Sequence, residues 1–155
     1  MERAAISAEL RDLAFDFFYW FSRFEFALKE CGYLKNHELG APAEPDWHEF
    51  AKKHQDDYRL TAAAKDLIAA NPLRQVIGRA GLEFVPIGLK DKPSDLEWVT
   101  RLARTVRNNL FHGGKHGEKT WDDPDRMRKL LPLVIRVLDE LAEHAGIESD
   151  YRRWY

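Results

Sequence analysis

Cysteine is almost absent: Cys31 is the only one in 155 residues. A lone thiol forms no internal disulfide, and no C-x-x-C pair exists to grip a metal. That points to a reducing compartment, most simply the cytoplasm. At the end of a helix, Cys31 reads as filler rather than as an activated nucleophile. Long apolar runs are also missing. No stretch approaches the roughly 20 residues that span a bilayer, so no membrane association is expected. The N-terminal MERAAISAELRDLAF carries acids early and has no uncharged core, so no secretory signal is expected either. Nor does charge of one sign dominate. Lys and Arg number 24 against 26 Asp and Glu, a net charge of -2, with pI near 6.3. A protein that coats nucleic acid is usually strongly basic. Any contact with nucleic acid must here be local, through a patch. Repeats, low-complexity tracts and dividing linkers are lacking, so one domain over 1–155 is expected.

What is present is mostly helical periodicity. Ser7 can cap a helix running to Cys31, with Leu10, Leu13, Ala14, Phe17, Phe21, Phe24 and Leu28 on one stripe. Gly32 ends it. Phe15, Tyr19 and Phe26 fall on the other side, so this helix is either central to the core or shared between the monomer and a dimer. Asn36 to Pro45 is a loop, after which Asp46 caps a new helix with Glu49 three residues on. Leu60 to Ala70 is helical and stops at Asn71-Pro72. Leu73 to Arg79 reads as one more short helix. Glu83 to Leu89, containing Pro86, reads as a loop or isolated strand. Ser94 caps a helix over about 95–111, and the glycines from Gly113 break it. Asp123-Pro124 opens the last long helix, with a kink expected at Pro132 and an end at Gly146. The expected class is all-α: a helical bundle of two long terminal helices, a site helix and shorter helices between.

The site-like feature is Arg107-Asn108-Asn109-Leu110-Phe111-His112, which closes the third major helix. On a helical wheel Trp98, Val99, Leu102, Ala103, Val106 and Leu110 fall within about 140° of arc and form the core face. Arg107, Phe111, Arg104, Asn108, Arg101 and His112 occupy the opposite face in that order. Arg107 and His112 lie on its two flanks, roughly 140° apart, and do not meet naturally within one helix. A histidine moves protons near neutrality, and an arginine holds phosphate with a planar fork of donors. The helix dipole favours the protonated imidazole at a C-terminus. Together these suit phosphodiester chemistry. The plainer reading stays open: Arg107 pairs with a carboxylate and His112 caps the last carbonyls. Glu25, beside the apolar stripe of the first helix, either pairs with an arginine of the site or is simply part-exposed.

Other patterns carry less. His112 and His116 are four apart, but Gly113-Gly114 intervene and a third ligand is missing, so no zinc site is expected. Asp122, Asp123 and Asp125 suit a helix start better than a divalent ion. Gly113 to Thr120 fails the P-loop spacing, and no Ser-His-Asp set can be argued. No cofactor is expected. The tail from Tyr151 to Tyr155 mixes aromatics with arginines, and either stacks on bases or docks on the protein.

The run Arg107-Asn108-Asn109-Leu110-Phe111-His112-Gly113 resembles the R-x4-H motif of the HEPN superfamily, often written R-N-x-x-x-H. An Asn follows the Arg, a Gly follows the His, and the motif ends the third major helix of an all-helical chain. The resemblance covers most of the chain, with about 34–93 as a longer helical and loop insertion. It implies a metal-independent endoribonuclease, in which a histidine works on the ribose 2′-hydroxyl, an arginine stabilises the phosphate, and a 2′,3′-cyclic phosphate is left. It implies Arg107 and His112 as catalytic residues, with Asn108 as an orienting group. Arg104, Lys115 and His116 are further candidates for phosphate contact, by position. It also implies a homodimer with two motifs facing one cleft, and a toxin or defence role in which a nucleotidyltransferase-type antitoxin is the possible partner. Two other readings stay open: a silent HEPN-like domain that binds RNA or protein, and a helical interaction protein unrelated to RNA.

Overall fold

The computed structural model describes residues 6–88, 93–112 and 123–153. Six helices and one hairpin follow in order: α1 (Ala8–Glu30), α2 (Trp47–His54), α3 (Ala62–Ala70), β1 (Leu73–Gly78), β2 (Gly81–Pro86), α4 (Asp95–His112), α5 (Pro124–Ala145) and α6 (Glu148–Tyr151). The chain is mostly helical, as its periodicity predicts.

The starts of α1 to α5 each have a side-chain cap, while α6 begins after Ile147 without one. The Ser7 hydroxyl accepts from the Leu10 amide, Asp46 from the amides of His48 and Glu49, and Thr61 from that of Ala64. Ser94 accepts from Glu97 and Asp123 from Asp125. These bonds satisfy amides that the first turn of a helix leaves open. Three ends are set by left-handed backbone, at Gly32 (φ 82°), Asn71 (φ 44°) and Gly146 (φ 67°). α5 runs as one element through Pro132.

α1, α4 and α5 supply most of the core. The predicted stripe of α1 is buried at Leu10, Phe17, Phe21, Phe24 and Leu28, with Leu13 and Ala14 partly buried. α5 buries Leu130, Leu131, Val134, Val137, Leu138 and Leu141. α4 buries Leu96, Val99, Leu102, Ala103 and Val106, so the wheel's core face is largely the observed one. An aromatic cluster ties the short helices to α1. Phe24 lies 5.1 Å from Trp47, 5.7 Å from Phe50 and 5.8 Å from Tyr151 between ring centroids. Arg23 reinforces this by donating to the carbonyls of Asp150, Tyr151 and Arg153. Tyr151 is thus the part of the tail that docks on the protein, while Trp154 and Tyr155 lie outside the described residues.

Two expectations fail between α3 and α4. Leu73 to Arg79 is not a helix, and Glu83 to Pro86 is neither a loop nor an isolated strand, while Leu89 lies outside the described residues. Leu73–Gly78 and Gly81–Pro86 pair as an antiparallel hairpin, with Leu73 opposite Pro86 and Gly78 opposite Gly81. The physical reason lies in the turn and the ends. Gly81 takes φ 137°, open to glycine but strained for other residues. Pro86 sits at the last position of a two-stranded sheet, where a missing donor does least harm.

Candidate functional site at the end of α4

Arg107 points to α1. Its Nη2 donates to Glu25 Oε1 at 2.7 Å, and the same oxygen accepts from Trp47 Nε1 at 3.1 Å. The guanidinium also lies over the Phe21 ring, 5.3 Å from its centroid, a cation–π arrangement. Both side chains of the ion pair are less than one third exposed. Of the two readings open for Glu25, the pair with a site arginine is the observed one. Arg107 Nε is buried and has no hydrogen-bond partner among the described residues.

The other flank of α4 meets the hairpin. Arg74 of β1, Ile87 and Gly88 after β2, and Arg101, Arg104, Thr105 and Asn108 of α4 line an open groove of about 350 Å³. Its guanidiniums differ in their partners. Arg101 donates to Glu97 one turn earlier. Arg104 and Arg74 form no ion pair among the described residues. Partial burial first, and then the charge of Arg107, hold the Arg104 pKa below its ordinary value, with Glu25 and Asp46 opposing.

Asn109 explains how the hairpin is placed. It is buried, and its side-chain amide donates to the Leu73 carbonyl at 2.7 Å. Arg126 of α5 donates to the carbonyls of Ala70 and Asn71 just before it. Residues at successive positions of a strand face opposite ways. Leu73 therefore lies in a small cavity with Asn109, Phe84, Arg126 and Leu130, while Arg74 lines the arginine groove. The structural role of Asn109 was legible on the wheel. The residue falls at about 20°, inside the apolar arc, where a polar side chain must find a partner.

Asn109→Ala should destabilise the protein by about 1–3 kcal/mol, because the Leu73 carbonyl loses its donor in a part-buried place. The loss should concentrate in the hairpin. Hydrogen exchange at the amides of 73–86 should speed up more than in α1 or α5, and unchanged protection there would count against the anchor.

The predicted residues thus divide between two surfaces. Arg107 faces α1 and Glu25. Arg104 and Asn108 are in the groove with Arg74 and Arg101, and Asn108 is exposed. The backbone of residue 112 closes α4, on the helical row that passes through 101, 105 and 108. The His112 side chain, Lys115 and His116 lie outside the described residues. Asp123 serves as a helix cap, and among the described residues no three His, Cys, Asp or Glu stand together as a metal site. No described helix is long and apolar enough to cross a membrane.

Around this helix end the surface is aromatic. Phe15, Phe18, Tyr19 and Phe111 are 64%, 48%, 40% and 48% exposed, and the Phe18 and Phe111 rings lie 5.8 Å apart. The aromatic side of α1 opposite the stripe is therefore exposed at Phe15 and Tyr19 in one chain, with Phe26 half-buried. Against this geometry, no family model, curated protein or solved structure matches the chain.

Proposed function

We propose that the protein is a metal-independent endoribonuclease of the HEPN kind, acting as a homodimer with Arg107 and His112 of both chains in a shared site. The observation that carries this reading is the cationic face of α4. Three arginines, 101, 104 and 107, stand one turn apart on the helix that ends at residue 112, and the middle one has no ion-pair partner among the described residues. A face of this kind attracts a phosphate backbone locally while the whole chain stays slightly acidic. The exposed aromatics beside it supply an apolar surface for a second copy related by a two-fold axis. Arg107, turned away from the 101–105–108–112 row, then completes the site of its twin.

The chemistry is a transesterification. The imidazole of one His112 takes the proton of a ribose 2′-hydroxyl, and the 2′-oxygen bonds to the adjacent phosphorus. The bond from phosphorus to the 5′-oxygen breaks, and that oxygen takes a proton from water while the imidazolium gives its own back to solvent, so each site needs one His112 and one Arg107. A 2′,3′-cyclic phosphate and a 5′-hydroxyl remain. Arg107 stabilises the charge that builds on the phosphoryl oxygens. Glu25 fixes the guanidinium in place and takes one of its five N–H donors in the observed bond. A second reading has an observation of its own. Arg107 is already engaged by Glu25, which suits a silent domain that binds RNA or a protein without cleaving it.

Incubation with mixed RNA in EDTA tests the first reading. Cleavage that resists EDTA and leaves 2′,3′-cyclic phosphate ends is expected. Tight binding with intact RNA would favour the silent domain, and neither binding nor cleavage would favour an interaction role unrelated to RNA.

A further inference from the structure

We infer that the groove between the hairpin and α4 is a second phosphate site, which holds the RNA backbone away from the bond that is cut. This rests on the RNA-cleaving reading and adds to it a binding site whose arginines, 74, 101 and 104, lie outside the R-x4-H motif, with Asn108 of the motif at its edge. Three guanidiniums line the groove; Glu97 pairs with Arg101, while Glu25 and Asp46 act on Arg104 without forming an ion pair with it among the described residues. Like charges gathered on one surface repel, and a bound anion relieves that repulsion. Arginine is suited to this anion, because its planar fork matches two phosphate oxygens. Asn108, on the same wall, offers both donor and acceptor to a sugar or base edge.

Position explains which phosphate is held. Arg101 precedes residue 112 by eleven positions, about 16 Å along a helix axis. The groove therefore serves a phosphate other than the scissile one. The hairpin supplies the far wall, since Asn109 fixes the start of β1 against α4 and Arg74 follows directly. The hairpin that the periodicity does not reveal thus acquires a role as one side of a strand-binding track. Remote contacts of this kind hold a flexible strand in register for reaction.

The test uses a fluorescent mixed-sequence 12-nucleotide RNA with 2′-O-methyl sugars, which binds without being cleaved. Anisotropy titrations at several salt concentrations compare the wild-type chain with Arg74→Ala and Arg104→Ala, and with Arg11→Ala as a control for simple loss of charge. Arg11 is exposed and engaged by Asp12 near the start of α1. Arg74 is exposed, so its removal leaves the core untouched. Each groove variant should weaken binding by roughly 5- to 20-fold and lower the salt slope by about 0.7, the amount for one phosphate contact on a single strand. Arg11→Ala should leave both unchanged. Wild-type affinity and slope in both groove variants, with RNA cleavage intact, would overturn the groove and leave the cleavage reading standing. A wild-type chain that neither binds this RNA nor cuts ordinary RNA would overturn both.

Discussion

His112→Ala is expected to slow RNA cleavage by roughly 10²- to 10⁴-fold, the usual contribution of a positioned general acid–base group. The effect should fall on the chemical step, so it is read in single-turnover cleavage of a labelled RNA with EDTA present. Residue 112 is the last of α4. Loss of the side chain would remove the proposed proton carrier but none of the buried face of α4, which is built from Leu96, Val99, Leu102, Ala103 and Val106. Binding of the uncleavable RNA and the thermal midpoint should therefore stay close to wild type. Arg107→Ala should differ in kind. It should lose activity and also stability, because among the described residues Glu25 then keeps Trp47 alone as a hydrogen-bond donor in a part-buried place. Full-rate cleavage by His112→Ala would remove His112 from the chemistry.

Phe24→Ala is expected to destabilise the protein by about 3–5 kcal/mol, the usual range for deleting a buried phenyl ring. Against a typical stability of roughly 5–15 kcal/mol, this is a large share. Phe24 is fully buried and meets Trp47, Phe50 and Tyr151, so it joins α1 to α2 and α6. Trp47 also donates to Glu25, which holds Arg107. The cavity thus opens next to the residues that orient the site arginine. Denaturant unfolding should show a lower midpoint with a nearly unchanged slope. A stability change below about 1 kcal/mol would mean that the aromatic cluster repacks freely, contrary to the cost that such cavities usually carry.

The parts that the sequence makes legible are those with strong local causes. Ser7, Asp46, Ser94 and Asp123 are good caps, and each holds the amides its type suggests. The stripe of α1 and the core face of α4 follow from one period and one burial direction. The hairpin was illegible for equally local reasons. Leu73 to Gly78 is six residues long and mixes Arg and Gln among Val and Ile, which suits a short helix as well as a strand. Its turn carries Arg79-Ala80 rather than the Asn-Gly pair that announces a hairpin. What places it is tertiary: the bond from Asn109, far along the chain, to the Leu73 carbonyl. The split of the hexapeptide was legible in angle but not in partner. The wheel separates Arg107 from residue 112, while Glu25 and Arg74 are set by how α1 and β1 pack beside α4.

That split makes a two-chain site the central claim. One flank of α4 has Arg107 fixed on Glu25, and the other carries the row that leads to residue 112. Mixing two inactive variants tests it most directly. Arg107→Ala and His112→Ala chains, each without detectable cleavage alone, are combined in equal amounts, unfolded and refolded together to randomise pairing. Half of the dimers are then mixed, and each mixed dimer holds one complete site of two, so activity should return to about one quarter of the wild-type rate. A mixture that stays inactive, at a concentration where the wild-type chain is dimeric and cuts RNA, would contradict a site shared between chains.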